Sequence, residues 1–101
     1  GDDLLTVPLY SIGAKGVISV LANAYPVVFQ KMKEFSFAAD FAKASKEQFK
    51  ILDINGPMYE EGNPVGVKQL MADMGLCGNH VRLPLVEASE GLKRKIRLAA
   101  D

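Results

Sequence analysis

The chain has 101 residues, of which 49% are hydrophobic and 24% are charged, a composition typical of one globular domain with a modest core. Twelve basic residues balance twelve acidic ones, so the chain lacks the positive field with which proteins attract nucleic acid or anionic membranes. The single cysteine, Cys77, excludes an internal disulfide framework, and no apolar stretch approaches the roughly 20 residues of a membrane-spanning helix. We expect no secretory signal peptide and a reducing, cytoplasmic setting.

The first predicted element is a helix from about Leu4 to Ile12. Asp2 and Asp3 precede it, and carboxylates at this position cap a helix and complement its macrodipole. Gly13 supplies the glycine that commonly follows the C-terminus of a helix.

An apolar run rich in β-branched residues follows at residues 16–22 (Gly-Val-Ile-Ser-Val-Leu-Ala). Such a run predicts a strand buried on both faces, as in parallel sheets flanked by helices. A single buried strand would leave its backbone N–H and C=O groups unpaired, which is costly. We therefore expect either that the run belongs to a larger sheet or that no strand forms here.

Pro26 is suited to the first position of a second helix, which is predicted over residues 26–37. A third helix is predicted to begin at Asp40 and to break at Gly56-Pro57. Its apolar residues recur at helical spacing and predict one buried stripe, made of Ala38, Phe41, Ala42, Ser45, Phe49 and Leu52.

A fourth helix is predicted to begin with Asn63 as its cap and Pro64 as its first residue, and to end at Gly75. Its apolar face contains Val67, Leu70, Met71 and Met74. Ser89 is predicted to cap the last helix, in which a basic cluster at residues 93–97 forms a solvated face. The pattern indicates an α/β start followed by a helical tail.

Four segments carry a family resemblance by their order and spacing: Gly-Asp-Asp at residues 1–3, Gly-Ala-Lys-Gly-Val-Ile-Ser-Val at 13–20, Asn-Pro-Val-Gly-Val-Lys at 63–68 and Arg-Leu-Pro-Leu at 82–85. With these motifs the chain resembles, over essentially its whole length, the C-terminal third of the dihydrodipicolinate synthase family. These pyruvate-dependent class I aldolases also include N-acetylneuraminate lyase. The last two motifs favour the synthase, and a lyase-type aldolase is the alternative.

The resemblance implies a (β/α)₈ barrel followed by a three-helix C-terminal extension. Residues 1–38 would be the end of the barrel, namely the loop after strand 7, helix 7, strand 8 and helix 8. Residues 39–101 would be the helical extension. The apolar run at residues 16–22 would then be strand 8, whose neighbouring strands lie outside this chain.

The resemblance also implies a reaction, the condensation of pyruvate with aspartate semialdehyde in lysine biosynthesis. In the family a lysine on strand 6 forms a Schiff base with pyruvate, and threonine and tyrosine residues relay protons. None of these catalytic elements falls within this chain, so the chain alone is expected to be inactive. We expect no metal or cofactor, and as partners the rest of the barrel and further copies in a homotetramer.

Three residues match substrate-binding positions of the family: Ile18, which would contact pyruvate, and Gly1 and Asp2, which would line the mouth of the pocket. The alternatives are that Ile18 fills the core and that Asp2 only caps a helix. Ser19 and Asn23 lie nearby, and Asn23 could serve only as a turn residue.

Two lysines are not candidates for the Schiff base. Lys15 precedes the predicted strand, whereas sites of barrel enzymes form at the C-terminal ends of strands. Lys68 lies on a helix of the tail and is excluded likewise.

The sequence also contains partial patterns of a metal site and of a nucleic-acid-binding loop. Cys77 and His80 are spaced as half a metal site, but zinc needs three or four ligands. Residues 13–16 resemble the Gly-X-X-Gly loop of a KH domain, a nucleic-acid-binding module in which this loop joins two helices. The β-branched run and the balanced charge argue against that alternative.

Overall fold

A computed structural model describes residues 2–100. The described residues contain six α-helices, α1 (Thr6–Ser11), α2 (Pro26–Phe37), α3 (Phe41–Phe49), α4 (Leu52–Asn55), α5 (Val65–Asp73) and α6 (Glu90–Ala100). Single 3₁₀ turns lie at Asp3–Leu5, Leu21–Asn23 and Gly56–Met58. The chain forms two compact units that divide between Leu52 and Asp53. No helix within residues 2–100 combines the length and the apolar character needed to cross a membrane.

The first unit is built from three helices, with α2 packed along α3 and α1 packed against both. Its largest buried side chains include Leu21, Phe29, Met32 and Ile51. Pro26 is the first residue of α2, as predicted. The Asp40 carboxylate accepts a hydrogen bond from the Lys43 amide at 3.2 Å, which confirms Asp40 as the cap of α3.

The stripe predicted to be buried on α3 lies on its exposed face instead. Phe49 is 63% exposed and Leu52 is 46% exposed. The buried face of α3 is made of Ala44, Glu47 and Gln48, and Ile51, just after the helix, is also buried. The prediction was wrong because two long polar side chains belong to the buried face, and a hydrophobic pattern assigns such residues to solvent.

The strand predicted over residues 16–22 is absent from the described part of the chain. Residues 14–19 have no regular structure, and Leu21–Asn23 forms a 3₁₀ turn. Ile18 is 98% exposed rather than buried. A strand requires a hydrogen-bonded neighbour, and within residues 2–100 no backbone amide from Lys15 to Val20 donates to another backbone group.

In the second unit α5 packs against α6, and the Gly56–Met58 turn contacts both helices. Gly66 of α5 lies so close to this turn that an added Cβ would be 2.6 Å from the Met58 Cα and 2.7 Å from the Pro57 carbonyl oxygen. Helix α5 begins at Val65, one residue later than predicted. Pro64 occupies the cap position and no side chain caps the helix.

A carboxylate clamp fixes the start of α6. Ser89 Oγ accepts a hydrogen bond from the Leu92 amide at 3.2 Å, which confirms the predicted cap. Glu61 in turn accepts from both the backbone N–H and the hydroxyl of Ser89. Lys95, one turn and a half along α6, donates to Glu60 at 3.0 Å. These hydrogen bonds join α6 to residues 60–61.

We predict that this clamp weakens in acid. The hydroxyl and then the backbone N–H of Ser89 lower the pKa of Glu61 below its ordinary value of 4.5. Because the folded-state pKa is the lower one, the stabilisation is present above pH 4.5 and is lost as the pH falls through the folded-state pKa. Denaturation midpoints of the wild type and Glu61→Gln should therefore differ at pH 7 and converge in acid. A difference that stays constant with pH would contradict the prediction.

Candidate functional site

A surface cavity of about 430 Å³ brings two of the predicted site residues together. It is lined by Asp2, Leu9, Gly16, Val17 and Ile18. Asp2 and Ile18 are 16 positions apart in the chain and share this cavity because the segment after α1 returns to the start of the chain, where the Leu21 amide donates to the Asp3 carboxylate. The third predicted residue, Gly1, lies outside the described residues.

Asp2 performs the capping role considered from the sequence. Its Oδ1 accepts a hydrogen bond from the Leu4 amide at 2.9 Å and so caps the Asp3–Leu5 turn. The residue is exposed and also lines the cavity. The two interpretations of Asp2 are therefore compatible in the structure.

Asp3 has a role that the sequence did not indicate. It is only 3% exposed, and its Oδ2 accepts a hydrogen bond from the buried Leu21 amide at 3.0 Å. Its backbone carbonyl accepts from Gln48 Nε2 at 2.9 Å and from Thr6 Oγ1 at 2.7 Å. Gln48 Oε1 also accepts from the Val7 amide at 3.0 Å, so one buried network joins the start of the chain to α3.

Ser19 and Asn23 make local turn contacts. Ser19 Oγ accepts from the Ala22 amide at 2.9 Å, and Asn23 Nδ2 donates to the Val20 carbonyl at 3.0 Å. These hydrogen bonds support the interpretation of Asn23 as a turn residue. Neither residue lines the cavity.

The cavity offers binding surface rather than reactive groups. Among the described residues that line it, Asp2 is the ionisable one, and the other four supply apolar side chains or backbone. Lys15 is exposed and does not line the cavity, and Lys68 is half-buried on α5 in the second unit. Burial raises the pKa of Tyr10 and of Tyr25, so neither phenol is prepared to act as a base near neutral pH.

The structure argues against both other site types. Residues 13–16 do not join two α-helices, because α1 ends at Ser11 and residues 14–19 are irregular, so the geometry of a KH loop is not formed. Cys77 is exposed, and His80 Nδ1 lies 3.8 Å from Glu87 Oε1. In the part of the chain that the structure describes, no three His, Cys, Asp or Glu residues are grouped to hold a metal.

Comparison with known proteins gives consistent matches along the whole chain. The model of the dihydrodipicolinate synthetase family matches residues 1–100. The 4-hydroxy-tetrahydrodipicolinate synthase of Cytophaga hutchinsonii is 50% identical over 99 residues, which are 98% of this chain and 33% of that protein. The enzyme of the same name from Geobacter sulfurreducens is 44% identical over 96 residues, 95% of this chain and 33% of that protein. The chain thus spans about a third of the length of the curated relatives it matches.

Solved structures give the same result. Dihydrodipicolinate synthase from Aquifex aeolicus superposes with a TM-score of 0.89 at 36% identity, covering 97% of this chain and 33% of that one. The Acinetobacter baumannii enzyme, described as complexed with pyruvate, gives a TM-score of 0.91 at 33% identity, covering 98% and 34%. These neighbours are (β/α)₈ barrels, and the largely helical chain corresponds to their C-terminal part. The predicted fold class is confirmed, while the division at residues 38 and 39 stays a prediction.

Proposed function

Because the chain belongs to the dihydrodipicolinate synthetase family, we propose that it is part of a lyase that condenses pyruvate with aspartate semialdehyde in lysine biosynthesis. The observation that carries this proposal is the match of residues 1–100 to the family, together with 50% identity to a named synthase. The Schiff-base lysine and the proton-relay residues belong to the remaining two thirds of the enzyme, with which this chain completes the barrel. The single cysteine, Cys77, is free and exposed, which is compatible with the reducing environment of the cytoplasm.

In this enzyme the chain supplies one wall of the pyruvate pocket. Ile18 contacts pyruvate, and Gly1 and Asp2 belong to the loop at the mouth. The shared cavity of Asp2 and Ile18 supports this assignment. The 98% exposure of Ile18 supports it too, because an apolar side chain that is open in this chain gains stability when the rest of the barrel and a substrate cover it.

The proposed reaction is tested with the intact enzyme, pyruvate and borohydride. We expect a covalent adduct on a lysine outside this chain, detected by the added mass of a peptide. Consumption of aspartate semialdehyde should follow in the absence of borohydride. If pyruvate leaves no adduct, the proposed function is wrong. If the adduct forms but aspartate semialdehyde is not consumed, the protein is a sister aldolase of the N-acetylneuraminate lyase type.

We predict that Ile18→Ala raises the KM for pyruvate in the intact enzyme. Removing the side chain takes away apolar contacts worth about 1–3 kcal/mol, which corresponds to a rise of roughly 10- to 200-fold. Val20→Ala is the matched control, since Val20 follows on the same segment but does not line the cavity. Steady-state kinetics with varied pyruvate concentration measure the KM of both variants. An unchanged KM for Ile18→Ala would mean that Ile18 packs in the protein and does not contact pyruvate.

We propose further that the enzyme is a homo-oligomer, with a tetramer as the expected form. An apolar groove of about 460 Å³ runs between α1 and α3 in the first unit. Phe41, Phe49 and Leu52 line it, and each is more than a third exposed. Covering these side chains with a second copy would remove apolar surface from water, which is the main driving force for association.

A further inference from the structure

The hydrogen bond between Asp3 and Leu21 joins two segments that line the candidate cavity. Asp3 directly follows Asp2, which lines the cavity. Leu21 comes three residues after Ile18, which also lines it. The distance from Asp3 Oδ2 to the Leu21 backbone nitrogen is 3.0 Å, and both residues are buried. This contact therefore fixes the separation of two segments that are 18 positions apart in sequence.

Within residues 2–100, few backbone hydrogen bonds hold the segment that carries Ile18. Before it, the Ala14 amide donates to the Leu9 carbonyl at 3.0 Å. Within residues 2–100 the backbone amides from Lys15 to Val20 donate to no other backbone group. Ser19 and Val20 make only local turn contacts with Ala22 and Asn23. Within residues 2–100, the first group after Ile18 that is held by a residue distant in the chain is the Leu21 amide, and the Asp3 carboxylate holds it.

The main chain of Asp3 is held in place by two further hydrogen bonds. The Asp3 backbone carbonyl accepts from Gln48 and from Thr6, so the Asp3 main chain cannot shift without breaking buried hydrogen bonds. A buried carboxylate is costly unless it is hydrogen-bonded, and a buried amide is costly without an acceptor. Asp3 and Leu21 satisfy each other, which gives this contact one defined geometry.

We propose that Asp3 is a positioning residue: through the Leu21 amide it sets the distance between Ile18 and the loop at the pocket mouth. The proposal rests on the proposed function, because it assigns Asp3 to the pyruvate pocket of that enzyme. Asp3 acts through the backbone of Leu21 and does not itself contact the substrate.

Three variants of the intact enzyme test this role. Asp3→Ala removes the acceptor, Asp3→Glu keeps the carboxylate but moves it by one methylene, and Asp3→Asn keeps an oxygen acceptor at the original place. We expect Ala and Glu to raise the KM for pyruvate about tenfold, because a displaced Ile18 loses apolar contact with pyruvate, with a smaller effect on kcat at saturating pyruvate. We expect the KM of the Asp3→Asn variant to stay within about twofold of the wild-type value, because the hydrogen bond to the Leu21 amide is kept. If Asp3→Ala does not fold, the difference in KM for pyruvate between Asp3→Glu and Asp3→Asn tests the proposal.

Ile51→Ala is the matched control, because it removes a buried apolar side chain of the same unit and leaves the hydrogen bond between Asp3 and Leu21 in place. We expect it to lower the melting temperature and to leave the KM for pyruvate unchanged. The proposal is overturned if Asp3→Ala and Asp3→Glu keep the wild-type KM, or if Ile51→Ala raises the KM as much at an equal loss of thermal stability. A wild type that forms no pyruvate adduct with borohydride overturns the proposed function itself, which separates the two failures.

Discussion

Replacing Gly66 with alanine should lower the free energy of unfolding by about 3 kcal/mol, at the upper end of the cost of overpacking. The added methyl would lie 2.6 Å from the Met58 Cα and 2.7 Å from the Pro57 carbonyl oxygen. Both atoms belong to the backbone, so no side-chain rotamer can relieve the clash. Either α5 or the Gly56–Met58 turn has to move, and α6 packs against both of them. Denaturant melts of the intact protein measure the loss.

Gly91→Ala is the matched control for this experiment. Gly91 also lies in a helix, but its added Cβ would meet only Ser89 Oγ, at 3.9 Å. Alanine is favoured over glycine in a helix by about 1 kcal/mol, so this variant should be neutral or more stable. If Gly66→Ala is as well tolerated as Gly91→Ala, α5 does not approach the Pro57-Met58 backbone as closely as described.

Replacing Ile51 with alanine should cost about 3 kcal/mol, within the range for buried aliphatic side chains. Ile51 is 1% exposed, so its truncation leaves a cavity in the first unit. Phe49 has the larger side chain but is 63% exposed. Its truncation should cost less than about 0.5 kcal/mol in the folding of the chain itself, as at other surface positions.

Protein concentration separates folding from assembly in this comparison. Because association stabilises by mass action, the effect of Phe49→Ala should grow with concentration if the groove between α1 and α3 binds a second copy. The effect of Ile51→Ala should not change with concentration. Sedimentation at matched concentrations gives the oligomeric state directly. A loss for Phe49→Ala that equals that of Ile51→Ala at every concentration would mean that Phe49 is covered within one subunit, which would contradict the groove as a surface for a second copy.

The local features of the chain were predictable because each depends on neighbouring residues alone. Pro26 starts α2, and Asp40 and Ser89 cap α3 and α6 through residues three positions ahead. Gly13 and Gly75 follow helices with φ of +108° and +77°, a region that favours glycine. The helix starting at Asn63 and Pro64 was misplaced by one residue, since Pro64 occupies the cap position rather than the first turn.

The faces of the helices were less predictable where polar residues are buried. Gln48 is inside because it donates to the Asp3 carbonyl and accepts from the Val7 amide, 45 and 41 positions away. No pattern within α3 contains that information. The same holds for the candidate site, where the Ile18 and Asp2 assignments depend on motifs, while Asp3 became visible only through its distance to Leu21.

The sequence by itself determined the family, the caps of α3 and α6 and the positions of most helices, because motifs and capping residues act over a few positions of the chain. Only the tertiary structure decided which face of α3 is buried, that Gly66 allows two backbones to approach, and that Asp3 holds Leu21. Those features arise from contacts between residues far apart in the chain. The apolar run at residues 16–22 depends on both the sequence and the tertiary structure. Its composition predicts a strand, but a strand forms only beside a hydrogen-bonded neighbour.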